Sequence, residues 1–322
     1  MVSLIIIGGP TCSGKSALAL ELAEKLGGAI VNADSMQQYR ELRIVTARPT
    51  YDEHSRAPHF LYGHHTADQP SSAGQWLDQA IHTIDEIKAQ ERVPIVVGGT
   101  GLYLQALLRG IAPVPEVPGE VRARTSERFE ALGVPGFHQD LAKRDPEQAA
   151  LLKPADRQRL IRAAEVLEAT GKSLLYWKGL PRKRVALPDP VVGFALMPPR
   201  PELHARIERR LHRMIDAGAL NEVEALRDKQ LDPDLPLMKA VSVPELMAHI
   251  NGELDLAAAI KRATAKTRQY AKRQLTWFRH QLPELDMLED FGDKPDLVKD
   301  HPLLSPHLLT ERIFKHTVRS SR

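Results

Sequence analysis

The chain has 322 residues, 43% of them apolar, which is enough for one large domain or two smaller ones with a real core. A single cysteine excludes an internal disulfide and any multi-cysteine zinc site, and fits a reducing, cytoplasmic setting. No apolar stretch approaches the roughly 18 to 20 residues of a membrane span, so no membrane partner is expected, and at a formal charge of +3 a polyanionic partner has to be argued from local clusters.

Val2 to Ile7 is an apolar, β-branched run of the kind buried on both faces of a parallel sheet. It leads into Gly9-Pro10-Thr11-Cys12-Ser13-Gly14-Lys15-Ser16, after which Leu18, Leu22 and Leu26, with Ala19 and Ala23, mark one face of a helix that Gly27 stops. Ala29 to Ala33 reads as a second strand ending at Asp34. Trp76 or Leu77, Ala80, Ile84 and Ile87 give a helix, and Val93 to Val97 a third strand ending in Gly98-Gly99-Thr100-Gly101. From Pro113 to Pro190 the pattern turns polar, alanine-rich and helical with no convincing strand. Val191 to Leu196 then reads as a fourth strand, followed by a helix with Leu203, Ile207, Leu211 and Ile215 on one side, and Leu256 to Phe278 as one long helix. The expectation is an α/β fold: a P-loop core with a parallel sheet flanked by helices, plus an all-helical insertion. Residues 1–115 form the first part of the core, 116–189 the insertion, 190–283 the completion of the core with basic helices, and 284–322 a weakly structured tail.

The segment Gly9 to Ser16 fits G-x-x-x-x-G-K-[ST], placed after a buried strand and before an amphipathic helix. Its glycines let backbone N–H groups face anionic oxygens, the helix start adds its positive end, and Lys15 reaches the outer phosphate. The Ser16 hydroxyl is a candidate ligand for Mg²⁺, while Cys12 simply occupies a variable slot. The third strand ends in Gly-Gly-Thr where many nucleotide hydrolases carry an acidic partner for the metal. Asp34 stands at the carboxyl end of a strand, where α/β sheets place their ligands; there it can accept a proton or orient a metal, or simply cap the next helix. Thr100, after two glycines, can bond to a leaving oxygen or serve the backbone. Adjacent histidines such as His64 and His65 suit a structural or contact role better than a metal site.

Three basic clusters imply a local field for a phosphate backbone. Lys261, Arg262, Lys266, Arg268, Lys272 and Arg273 run with Tyr270, Trp277 and Phe278 along the long helix; Arg157, Arg159 and Arg162 lie in the insertion; and Arg206, Arg209, Arg210 and Arg213 follow the fourth strand. On the residues alone the phosphate loop suggests ATP or GTP hydrolysis or a kinase of a small molecule or nucleoside, and the basic clusters leave an RNA-binding nucleotide switch open.

The order and spacing of GPTCSGKS (9–16), NADSMQQYR (32–40), VVGGTGLY (96–103), ADRQRLIRAAEV (155–166), RPELHARIERR (200–210) and RQYAKRQLTWFR (268–279) resemble the bacterial tRNA dimethylallyltransferase family. That resemblance covers most of residues 1–280. It implies transfer of a dimethylallyl group from dimethylallyl diphosphate to N6 of the adenosine just 3′ of the anticodon, in tRNAs reading codons that begin with U. The family's loop holds the diphosphate of the donor, here Gly9 to Ser16, and a helical insertion closes on the tRNA anticodon arm. Asp34 takes the family's place for the base at N6, and Thr100 the place that touches the reacting region. Asp34, Ser35, Met36 and Gln37, together with Arg122 and Gln158, Arg159, Leu160, Ile161 and Arg162, fall where relatives touch tRNA. The cofactor implied is Mg²⁺, and a monomer is expected. Two segments depart from the family pattern: Val45 and Arg48 stand where relatives carry glycine and lysine, and Ala240-Val241-Ser242-Val243 replaces a segment with glycine at its third position.

Overall fold

The computed structural model describes residues 2–69, 71–295, 297, 298, 301 and 304. The elements in chain order are β1 (Leu4–Gly8), α1 (Lys15–Leu26), β2 (Ala29–Asn32), α2 (Tyr51–Arg56), β3 (His59–Phe60), α3 (Ala73–Ala89), β4 (Pro94–Gly98), α4 (Gly101–Arg109), α5 (Gly119–Arg144), α6 (Pro146–Ala150), α7 (Arg157–Thr170), α8 (Leu174–Gly179), β5 (Val191–Leu196), α9 (Arg200–Asp216), α10 (Ala219–Arg227), α11 (Val243–Ile250), α12 (Leu256–Gln281) and β6 (Asp286–Leu288). They fall into two compact units, residues 1–108 with 186–322, and residues 109–185.

The first unit is built on a six-stranded sheet in the order β3-β2-β4-β1-β5-β6, with every pair parallel. β1 and β4 are buried at every residue because helices cover both faces, which is why they read as unbroken apolar runs. Ile5, Ile7, Ile95 and Val97 point to one face, where Leu18, Leu22 and Ala23 of α1 pack on them. α1 ends at Gly27, which takes a left-handed φ of 61° and donates its N–H to the Ala23 carbonyl. A second core gathers Met214, Val223, Leu226, Val243 and Leu246 of α9, α10 and α11 around Tyr39 and Leu42.

This topology places the three informative loops side by side. β2, β4 and β1 are consecutive in the sheet, and Gly8 pairs with Gly98 at the ends of their strands. Neighbouring strands lie about 5 Å apart, so the turn after β1, Asp34 after β2 and Thr100 after β4 emerge together at the carboxyl edge, where open α/β sheets bind ligands.

The sequence reading missed β3 and β6, and its weakly structured tail needs correction. β6 pairs with β5 through Phe194–Asp286, Ala195–Met287 and Leu196–Leu288, while Leu285 and Phe291 are buried. Residues 305–322 of that predicted tail lie outside the described residues. On α9 the inward fourth position is Met214 rather than Ile215.

The second unit is helical. α5 breaks at Gly133, whose φ of 62° is left-handed, just before Pro135. Phe129, Phe137 and Leu141 of α5 then pack on Leu160, Ala163 and Ala164 of α7. Val117, Val121, Val166 and Leu174 form a smaller second cluster.

Candidate active site

The phosphate loop turns on three positive φ values: Gly9 at 148°, Cys12 at 65° and Gly14 at 83°. Two fall on glycine, which adopts them without a Cβ penalty; Cys12 holds a conformation that costs a non-glycine residue of order 1–3 kcal/mol. Ser13 is fully buried, and its Oγ has no hydrogen-bond partner among the described residues, so a buried polar atom stands ready for a ligand oxygen. Lys15 opens α1 and donates from Nζ to the Pro10 carbonyl at 3.2 Å. Burial holds its ammonium below the ordinary lysine value; the Asp34 carboxylate opposes that shift and Arg210 adds to it. A half-buried cation beside the open N–H groups of a helix start is a receptor for an anion.

The segment after β6 braces this loop from behind. Gly292 donates its N–H to the Ser13 carbonyl at 2.9 Å, and a Cβ on Gly14 would fall 2.8 Å from the backbone nitrogens of Gly292 and Asp293. Residue 14 therefore has to be glycine for space as well as for φ. Arg206 holds this brace: its guanidinium binds both Asp293 oxygens at 2.7 and 2.8 Å and lies 3.6 Å over the Phe291 ring.

Asp34 is fixed by Asn32, a buried amide at the end of β2. Asn32 Oδ1 accepts the Asp34 N–H at 2.8 Å, and Nδ2 donates to the carbonyls of Asp34 and Leu61. Trp76 Nε1 in turn donates to the Asn32 carbonyl at 2.8 Å. Asp34 Oδ1 accepts the Met36 N–H at 3.0 Å, so one oxygen does cap the following turn. Oδ2 faces the glycine loop, lying 3.4 Å from where a Gly99 Cβ would be. The Thr100 hydroxyl accepts the Ser35 N–H at 3.0 Å and donates to Ser35 Oγ at 3.3 Å, tying its loop to that of Asp34. Burial, with the Asp34 charge adding, pushes the Tyr62, Tyr103 and Tyr270 hydroxyls above the ordinary tyrosine value, so all three stay neutral around this carboxylate.

Two residues outside the sequence-predicted site enter it. Arg210 Nη2 donates to Thr11 Oγ1 at 2.6 Å, and Gln274 bonds both the phosphate loop and the glycine loop. Arg206 and Arg210 are four residues apart on α9 and face inward, whereas Arg209 and Arg213 are exposed; that 3.6-residue phase was the available signal.

The residues predicted to meet tRNA separate into groups. Ser35, Met36 and Gln37 are half-buried beside Asp34, and Gln37 Nε2 donates to the carbonyls of Thr46 and Ala47. Lys272 and Arg273 are exposed on α12. In the helical unit, Arg122, Gln158 and Arg159 are exposed, and Arg162 is half-buried, 3.5 Å from Glu165. Leu160 needs correction as an RNA contact: its side chain has no exposure and packs inside the α5–α7 core, with the half-buried Ile161 against the same cluster.

Residues 37–281 match the family model described as IPP transferase. The match begins after the phosphate loop, so the loop is an independent observation. The chain is 54% identical over 282 residues to a tRNA dimethylallyltransferase of Nitrobacter hamburgensis, covering 87% of this chain and 88% of the relative. The chain belongs to the tRNA dimethylallyltransferase family. It is 52% identical over 280 residues to a relative of the same description from Rhodopseudomonas palustris. Among solved structures, the full-length tRNA isopentenylpyrophosphate transferase of Bacillus halodurans matches with a TM-score of 0.68 and 30% identity, over 98% of this chain and 100% of that one. A eukaryotic dimethylallyltransferase acting on tRNA matches with a TM-score of 0.77 at 24% identity, over 97% of this chain and 80% of that one, a likeness of fold. As a family member the chain is an enzyme that transfers a dimethylallyl group to tRNA near the anticodon, and catalysis in the family depends on a divalent metal. No helix among the described residues is long and apolar enough to cross a membrane.

Proposed function

We propose that this site moves the dimethylallyl group of dimethylallyl diphosphate onto N6 of the adenosine just 3′ of the anticodon, with Asp34 as the base. The observation that carries the reading is the convergence of Lys15, Asp34 and Thr100, from loops after three adjacent parallel strands, around one carboxyl edge. The N6 lone pair attacks the allylic carbon as its C–O bond breaks; the electron pair of that bond leaves on the diphosphate, and the N6 proton passes to Asp34. Residues Gly9 to Ser16, with Lys15, receive the charge developing on the leaving diphosphate. Thr100 holds the Asp34 loop and presents its oxygen beside the reacting centre. An N6 amine becomes acidic only as its new bond forms, so an ordinary carboxylate suffices as base.

The residues suit Mg²⁺. Ser16 lies in the first turn of α1 and lines a small cavity of about 30 Å³ with Ala47, Tyr62 and Val97. No cluster of three His, Cys, Asp or Glu among the described residues forms an all-protein cage, and magnesium commonly takes one or two protein oxygens plus substrate phosphates. Bound through Ser16, the ion would neutralise part of the diphosphate charge. The anticodon arm would meet Ser35, Met36 and Gln37, the exposed Lys272 and Arg273, and, on the helical unit, Arg122, Gln158, Arg159 and Arg162. A cytoplasmic monomer is the simplest setting for this chemistry.

The test is Asp34→Asn, which keeps size and hydrogen bonding but cannot take the proton. Single-turnover transfer at saturating tRNA should fall by roughly 10² to 10⁴ with little change in tRNA affinity. A saturated rate equal to wild type would leave Asp34 as only the cap of its turn.

A further inference from the structure

Gln274 lies on the inward face of α12, 5% exposed, between Ala271 and Phe278 of the core. Its amide makes one hydrogen bond to each of two walls of the site. Oε1 accepts the Thr11 N–H of the phosphate loop at 2.9 Å, and Nε2 donates to the Gly99 carbonyl, next to Thr100, at 2.9 Å. The approach is so close that a Cβ on Gly99 would fall 2.3 Å from Nε2, and one turn along α12 a Cβ on Gly101 would fall 2.1 Å from Trp277 Cδ1. These two glycines of the Gly-Gly-Thr-Gly turn are therefore required by α12, not by backbone angle, since neither has a positive φ.

From this we infer that Gln274 is a positioning residue that sets the distance between the leaving-group loop and the linked loops of Thr100 and Asp34. The inference rests on the transfer reaction proposed above and deepens it. Its bonds complete a continuous chain: phosphate loop to Gln274, Gln274 to Gly99, Thr100 to Ser35 and the Asp34 turn. Allylic transfer needs the departing diphosphate, the prenyl carbon and the attacking amine in line, and a misplacement of about 1 Å can cost a hundredfold. One amide that donates to one wall and accepts from the other holds both at a fixed separation. A carboxylate of the same shape would accept from Thr11 but confront the Gly99 carbonyl with no donor. Protonated, it would donate again.

That asymmetry supplies the test. Wild type, Q274E and Q274M are compared in single-turnover transfer at saturating tRNA and dimethylallyl diphosphate, with tRNA affinity and thermal midpoint measured alongside. Q274M should react about tenfold to a hundredfold more slowly with tRNA affinity within about twofold of wild type. Q274E should be slow at about pH 8, and its rate relative to wild type should rise as pH falls towards 5.5, because a buried glutamate takes up its proton above its usual value. The proposal is overturned if Q274M, folded, transfers at the wild-type rate, or if the Q274E ratio stays flat with pH. It is overturned too if neither variant folds, which would assign Gln274 to stability alone. A wild-type enzyme that transfers no prenyl group fails the function proposed above and is told apart from these outcomes by its own lane.

Discussion

Lys15 is where burial and function oppose each other at the scale of one residue. Burial favours its neutral form, Arg210 adds to that, and Asp34 only partly offsets them. An incoming diphosphate reverses the balance, so binding should take up a proton in the window between the lowered value and lysine's ordinary one. Since the bound state holds more protons, diphosphate affinity should strengthen as pH falls through that window. Calorimetry in buffers of different ionisation enthalpy reads the uptake directly, and no uptake on the basic side would contradict the burial argument. Ser242 offers a stability test on a departure from the family pattern. It is 6% exposed and holds a left-handed φ of 78° at the start of α11. Ser242→Gly removes the Cβ penalty and should stabilise the fold by about 1 kcal/mol, seen as a higher denaturant midpoint at unchanged slope. The Arg48 departure is accommodated differently: its Nη2 donates to the Arg40 carbonyl at 2.9 Å, and Nη1 fills the space over Gly63, where a Cβ would lie 1.8 Å away.

At the scale of elements, α12 has two working faces. Its inward side carries Gln274, Leu275 and Phe278, and its outward side carries Lys261, Arg262, Lys266, Lys272 and Arg273. Core packing on one side and a basic surface on the other are both present in this one element. Neutralising Lys272 and Arg273 should weaken binding across tRNAs and lower the log–log salt slope by about 0.7 to 0.9 for each phosphate that is no longer neutralised. The transfer rate at saturating tRNA should persist. An unchanged slope would move RNA recognition away from this face. The element scale also shows what patterning reveals and what it hides. β1 and β4 were legible because burial on both faces writes an unbroken apolar run, and α3 because Trp76, Ala80, Ile84 and Ile87 repeat at helical period. β3 has two half-buried residues and β6 three, two of them exposed, so neither is long enough to leave a periodic trace. The glycine code was legible at Gly14 from its motif. The need for glycine at 99 and 101 depends on α12, more than 170 residues away, a relation invisible to local spacing.

On the scale of the whole molecule, a helical unit interrupts the sheet unit in sequence. Lys15, Asp34, Thr100, Arg210 and Gln274 all belong to the sheet unit, while Arg122, Arg159 and Arg162 lie on the helical one. The phosphate loop alone also fits a kinase, and the distinction rests on which group leaves the donor. Purified chain is therefore incubated with tRNA and Mg²⁺ and either dimethylallyl diphosphate or ATP, and the tRNA is digested to nucleosides and weighed. The account predicts one adenosine, beside the anticodon, heavier by a single five-carbon prenyl unit with the first donor and unmodified tRNA with the second. Transfer of a phosphoryl group from ATP, or tRNA left unmodified by dimethylallyl diphosphate, would contradict it.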